Sequence, residues 1–94
     1  MNEDLLFAYL QQDGDFIQWI IQYPILVDQV ATALVTLHNL QGSSCLSDLV
    51  ACRDAALSMQ MIAREGGFED VAAVFSEQYD LFSLAVLPFF GEVV

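Results

Sequence analysis

One row of apolar side chains recurs at intervals of three or four residues near the end of the chain, and it constrains the fold more than any other feature. Its members are Phe68, Val71, Phe75, Tyr79, Phe82 and Val86. This spacing places all six on one face of an α-helix, whereas a half-buried strand would alternate with period two. Nothing in the chain follows period two. The sequence therefore predicts an all-α fold, a compact bundle of four to five short helices joined by tight turns.

Glycine, proline and capping residues divide the 94 residues into five predicted helices within one domain, 1–94. The predicted helices span about 3–12, 15–23, 24–40, 45–64 and 68–87, and an apolar tail follows at 88–94. Asp15 and Ser44 are the expected N-caps of two of them. Pro24 suits the first turn of the third helix. Gly42 and the Glu-Gly-Gly turn at 65–67 are expected to end the third and fourth helices.

Two other predicted helices also have a recognisable core-facing side. In 24–40 this side is lined by Leu26, Val30, Leu34 and Leu37. In 45–64 it is lined mainly by small side chains, namely Cys45, Leu49, Cys52, Ala56, Met59 and Ala63. A row of small side chains lets a second helix approach closely. We therefore expect a neighbouring helix to pack tightly against 45–64.

The charge balance restricts the kind of partner that this chain can bind. Thirteen acidic residues face two arginines and no lysine, which gives a formal net charge of −11. The electric field of such a charge repels nucleic-acid phosphates and anionic lipids, and it attracts basic proteins. The chain is also 56% apolar, above the ~45–50% that is typical of soluble domains. We therefore predict a homo- or hetero-oligomer, a homodimer being one form, and a protein partner with a basic surface; we predict no direct nucleic-acid binding and no membrane.

The two cysteines and the N-terminal segment bear on the cellular compartment. Cys45 and Cys52 lie seven residues apart on one predicted helix, about 10 Å from each other, which is too far for a disulfide. They are expected to be reduced core thiols, and no Cys or His spacing indicates zinc. The acidic start, MNEDLLFAYL, matches neither a secretory signal nor a transit peptide. These features predict a cytoplasmic protein without metals or cofactors.

No pattern of residues predicts catalysis. His38 is the only histidine, and no nucleophile or acid stands beside it in a recognisable arrangement, so a structural role is expected. The serines lack a nucleophile elbow, and the acidic stretch at 65–70 would repel a phosphate. Arg53 and Arg64 could hold an anion, but pairing with carboxylates of neighbouring helices is the expectation. We predict that the protein is not an enzyme.

The stretch GGFEDVAAVF, residues 66–75, resembles the turn and second-helix start of a tetratricopeptide repeat, within a hairpin over 58–83. The matching positions are Gly66, Phe68, Glu69, Asp70 and Phe75. Val71 and Gln78 stand where the repeat has alanine, and the first helix of the pair lacks the repeat's Leu-Gly and Tyr signature. The resemblance implies stacked helical hairpins that bind a peptide or a helix. Some small proteins of that type are co-chaperones of secretion-apparatus subunits.

The preferred function is a small acidic protein-binding module that masks or inhibits a specific protein, as an inhibitor, immunity factor or antiactivator. Steering carboxylates are expected at Glu69, Asp70, Glu77 and Asp80. Apolar anchors are expected at Leu84, Leu87, Phe89 and Phe90, with the last two on an extended segment after Pro88. Two simpler interpretations stay open: the acids only keep the bundle soluble, and the tail folds back on the core. The alternative functions are a co-chaperone that holds a helical subunit of a secretion apparatus and a small-ligand-binding helical regulator.

Overall fold

The computed structural model describes residues 14–91. The helices are α1, Gly14–Ile20; α2, Pro24–Leu40; α3, Leu46–Glu65; α4, Glu69–Val86; and the single turn α5, Pro88–Gly91. No strand occurs among the described residues, so the predicted all-α bundle of four to five short helices is confirmed. The helix predicted at 3–12 and the last tail residues, 92–94, lie outside the described part of the chain.

Helix α3 lies at the centre of the bundle. It packs against α2 on one side and more extensively against α4 on the other. The connections at 41–45 and 66–68 are short, so consecutive helices run antiparallel. The small-residue row predicted on α3 is buried at Leu49, Cys52, Ala56, Met59 and Ala63. Cys45 is exposed instead of buried, because it occupies the N-cap position in front of the helix.

The apolar rows predicted on α2 and α4 both face the core. On α2, Val30 and Leu37 are buried, and Leu26 and Leu34 pack half-buried against the core. On α4 the fully or nearly fully buried members are Val71, Phe75 and Val86, and the partly buried ones are Tyr79 and Phe82. Helical spacing alone therefore identified the side of each helix that is removed from water.

Helix α1 and helix α3 begin and end differently from the prediction. Helix α1 ends at Ile20 because Tyr23, the residue before Pro24, adopts extended dihedral angles (φ −126°, ψ 99°). Asp15 lies in the first turn of α1 and not at its N-cap. Before α3, the side chain that accepts a hydrogen bond from a backbone N–H is that of Ser43 and not that of the predicted residue, Ser44.

The Ser43 hydroxyl ties the start of α3 together. It accepts a hydrogen bond from the backbone N–H of Cys45 at 3.2 Å and donates one to the Asp48 carboxylate at 2.7 Å. Gly42, with φ of +85°, follows the C-cap Gln41 of α2 and ends that helix as the sequence predicts. One serine, two residues before the N-cap, thus contacts both the N-cap backbone and a side chain of the first helical turn.

The turn between α3 and α4 forms at the predicted Glu-Gly-Gly segment. Gly67 has a φ of +81°, and the N–H groups of Gly67 and Phe68 donate to the carbonyl oxygens of Arg64 and Ala63 at 3.0 and 2.8 Å. This pairing is a Schellman motif, in which a glycine takes the left-handed conformation after the last helical turn. It sends Phe68 back towards the bundle.

An aromatic cluster (Phe16, Trp19, Tyr23 and Phe68) fastens α1 to this turn. The ring of Phe68 lies 5.3 Å from that of Phe16 and 5.6 Å from that of Trp19, and Trp19 lies 5.6 Å from Tyr23. Gly66 lies directly beneath: a Cβ atom there would be 2.9 Å from two Phe68 ring carbons and from Cζ3 of Trp19. The close approach of both rings therefore requires a residue without a side chain.

The segment after α4 is helical, and the predicted extended conformation is wrong. Leu87 keeps helical dihedral angles (φ −51°, ψ −43°), and Pro88 begins the single turn α5. Proline fits the first position of a helix because its fixed φ is close to the helical value. A backbone N–H at that position would have no acceptor within the helix, so proline loses no hydrogen bond there. The N–H of Phe90 donates to the carbonyl oxygen of Leu87 at 3.0 Å. Phe89 and Phe90 are therefore held on a turn.

Candidate protein-binding surface

The last turns of α4 and the turn α5 expose a group of large apolar side chains, which we call the apolar end. Its members are Leu81, Leu84, Leu87, Phe89 and Phe90, which are between 45% and 62% exposed. Four of the five are the anchors that the sequence predicts. Leu81 was missed, although its position three residues before Leu84 places it on the same side of the helix.

A cavity of about 380 Å³ opens beside the apolar end. Its α4 wall includes Leu81, Phe82 and Ala85, and Leu37 of α2 and Leu49 of α3 contribute from the other two helices. None of the described residues that line it is charged. The cavity forms where three helix ends meet, so no local sequence pattern could have predicted it.

The four predicted steering carboxylates are all exposed, but the structure separates them into two pairs. Glu77 and Asp80 lie one helical turn before Leu81 and Leu84 and so adjoin the apolar end. Glu69 and Asp70 lie in the first turn of α4, and Asp70 is about 21 Å along the helix from Leu84. Only the first pair shares a surface with the apolar anchors.

The other polar residues singled out in the sequence do not converge on one site. His38 is exposed in the last turn of α2. The Nε of Arg53 lies 3.5 Å from Oδ1 of Asp54 on the same helix. The prediction that Arg53 pairs with a neighbouring helix is therefore wrong, since the adjacent residue supplies its carboxylate.

The two cysteines are free and differ in environment. Burial raises the pKa of the Cys52 thiol, and the Asp48 carboxylate raises it further. A hydrogen bond with the Ser47 hydroxyl, at 3.2 Å, lowers the pKa of the exposed Cys45, and the backbone N–H groups of Asp48 and Ser47 act in the same direction. Within residues 14–91 no group of three His, Cys, Asp or Glu side chains could hold a metal ion.

A second and larger cavity, of about 610 Å³, runs between α2 and α3. Its base is formed by Ala33, Ala51 and Ala55, and Asp28 and Glu65 are among the residues on its rim. Neither of the two cavities is lined by His38, by Arg53 or by a cysteine. The sequence marked Asp28 as polar but gave no indication that it would face α3.

Two findings bear on classification. Among residues 14–91, the helices lack the combination of length and apolar composition that crossing a bilayer requires. A comparison of the chain with families of related proteins, with curated proteins and with solved structures finds no match.

Proposed function

We propose that this protein is a small acidic binding module that captures and masks one basic protein partner, as an inhibitor, immunity factor or antiactivator does. The observation that best supports this proposal is the apolar end. Five large apolar side chains are exposed within residues 81–90, and one of them, Leu81, also lines a cavity whose described lining residues are uncharged. Contiguous exposed apolar surface of this kind marks interaction sites in soluble proteins.

The apolar end would supply the lasting affinity. Fully burying a Leu or Phe side chain contributes about 1.5–3 kcal/mol, and a few such anchors usually dominate an interface. Leu84 and Phe90 are more than half exposed and can be covered without unfolding the bundle. The cavity beside Leu81 has room for a large apolar side chain of the partner.

The carboxylates next to the apolar end would select the partner by charge. Glu77 and Asp80 would face a basic rim on the partner, and the net charge of −11 would speed encounter over longer distances. Two copies of this chain would repel each other through the same charge. A basic partner is therefore favoured over a second copy, and the complex is proposed to be a heterodimer.

The test is affinity capture from the native host with the wild-type chain and two matched double variants. Leu84→Gln with Phe90→Gln removes two anchors of the apolar end. Ile25→Gln with Val35→Gln removes two equally exposed apolar side chains of α2. Glutamine is a good helix former, so helix content should persist in both. Circular dichroism checks this before binding is compared.

We expect one basic protein to bind the wild type one-to-one. It should bind L84Q/F90Q about 30-fold more weakly, because the loss of an anchor that contributes about 2 kcal/mol raises the dissociation constant by that factor. The I25Q/V35Q variant should stay within threefold of the wild type. Equal capture by all three chains would contradict the proposal. Self-association that strengthens with salt would show that a second copy covers the apolar end.

A co-chaperone that holds a helical subunit of a secretion apparatus is the second candidate. The observation that favours it is the long cavity between α2 and α3, which has the form of a helix-binding groove. The captured protein distinguishes the two candidates. A partner whose own activity is blocked in the complex indicates an inhibitor, and an aggregation-prone subunit that is kept in solution indicates a co-chaperone.

A further inference from the structure

We propose that the cavity between α2 and α3, here called the α2–α3 groove, is a second docking site and that its occupant is a cationic amphipathic helix. The occupant would present a narrow face of small or apolar side chains to the groove, with Lys or Arg on both flanks. No residue of the apolar end lines the groove, so this inference does not rest on the proposed masking function; it names the chemistry of the helix that the second candidate function would hold there.

The length of the groove fits a short helix. Its lining comes from residues 26–36 of α2 and 51–65 of α3. These segments run antiparallel and extend for about 15–20 Å, the length of roughly three helical turns. Alanines at 33, 51 and 55 form the base. Because alanine has no side chain beyond Cβ, the backbone of an incoming helix can approach closely.

The backbone on both sides of the groove favours a helix over an extended strand. The two walls are α-helices, in which N–H and C=O groups are bonded to each other along the helix. Strand addition needs a free row of such groups, and the groove offers none along its length. Side chains of the occupant must therefore make the contacts, as they do when an amphipathic helix lies in a groove.

The charges of the groove determine the sign of the charge that the occupant must carry. Asp28, Asp54 and Glu65 contribute carboxylates, and none of its lining residues is basic. Asp28 near the start of α2 and Glu65 at the end of α3 lie at the same end of the groove because the helices are antiparallel. Asp54, towards the other end, already lies 3.5 Å from Arg53. The strongest attraction for a Lys or Arg is therefore expected between Asp28 and Glu65.

The remaining rim suits an amphipathic partner. Thr32 and Ser58 supply hydroxyls along the middle of the groove, and Thr36 supplies one at its end. Met61 is 61% exposed on the rim, and a flexible thioether adapts to differently shaped apolar surfaces. An acidic peptide or a second copy of this chain would meet like charge here. Charge complementarity thus selects a cationic helix among the possible occupants.

The probe for the test is a synthetic fluorescein-labelled peptide of 14 residues with an Ala/Leu face and lysine flanks. A scrambled peptide of the same composition, which has no apolar face, is the peptide control. Fluorescence anisotropy gives the dissociation constant, and backbone amide shifts in NMR spectra locate the bound peptide. The full chain is used throughout.

Two pairs of variants separate the groove from general attraction to an acidic protein. Asp28→Asn with Glu65→Gln should weaken peptide binding about 5–10-fold, the effect expected for two partly exposed ion pairs. Asp15→Asn with Asp70→Asn removes the same charge from exposed positions on α1 and α4 that line neither cavity, and it should change peptide binding less than twofold. Ser58→Trp should fill the groove and weaken binding more than 10-fold, while Ala73→Trp, also at an exposed small residue, should not.

The expected shift map places the largest amide changes within 26–36 and 51–65. Three results from the variants and the shift map would overturn the assignment: equal weakening by both charge variants, wild-type affinity in S58W, or the largest shifts within 81–90. The last result would place the peptide on the apolar end. If the scrambled peptide binds as tightly as the probe, attraction is unspecific and the groove is not a helix site.

Discussion

The two ends of α4 use similar side chains in opposite ways. At its N-terminal end, Phe68 packs against Phe16 and Trp19 and closes the bundle over Gly66. At its C-terminal end, large side chains of the same kind, among them Leu84 and Phe90, are exposed. Within α4, one end therefore buries its large apolar side chains in folding, and the other leaves them available for contact.

The largest expected difference between the two regions is in folding stability. Phe75 on the core side of α4 is fully buried, whereas Phe90 is 56% exposed. Phe75→Ala should lower the free energy of unfolding by about 3–5 kcal/mol, and Phe90→Ala by less than about 0.5 kcal/mol. Urea denaturation followed by circular dichroism measures both. If F90A is as destabilising as F75A, the apolar end belongs to the core and the comparison is wrong.

A smaller effect tests how tightly the aromatic cluster closes the opposite end. Gly66→Ala introduces a Cβ that would meet Phe68 and Trp19 at 2.9 Å. Such overpacking typically costs about 1–3 kcal/mol of stability. Gly14→Ala is the control, because a Cβ there has no atom within 4 Å. If thermal denaturation gives the same midpoint for G66A and G14A, the rings do not need the glycine.

The smallest expected effect is a difference in thiol chemistry. Cys45 is exposed with a lowered pKa, and Cys52 is buried with a raised pKa. The thiolate is the reactive form, so Cys45 should react with iodoacetamide in the folded chain and keep reacting below pH 9.0, the ordinary thiol value. Cys52 should react only after unfolding. Mass spectrometry after timed labelling measures both rates, and equal rates in the folded chain would contradict the structure.

Much of the fold could be predicted because its determinants are local. The spacing of Val71, Phe75 and Val86 identifies the core side of α4 without any tertiary information. Gly67 likewise places the turn before α4, since the left-handed conformation there favours glycine. In each case, the residues that decide the structure are neighbours in the sequence.

The features that escaped prediction depend on residues far apart in the chain or on a choice between two local rules. Gly66 is required by the ring of Trp19, which belongs to another helix. Pro88 can end one helix or begin another, and here it begins α5. The sequence predicted four of the five members of the apolar end, but the cavity beside Leu81 exists only because three helices meet there.

Amide hydrogen exchange of the chain, free and bound one-to-one to its captured partner, tests most directly whether the apolar end is the contact surface. We expect the protection gained on binding to centre on residues 77–90, where Glu77 and Asp80 adjoin the exposed leucines and phenylalanines. The aromatic cluster should gain none, because its side chains already pack against each other. If the amides of residues 77–90 exchange at the same rates in the free and the bound chain, the proposal is contradicted.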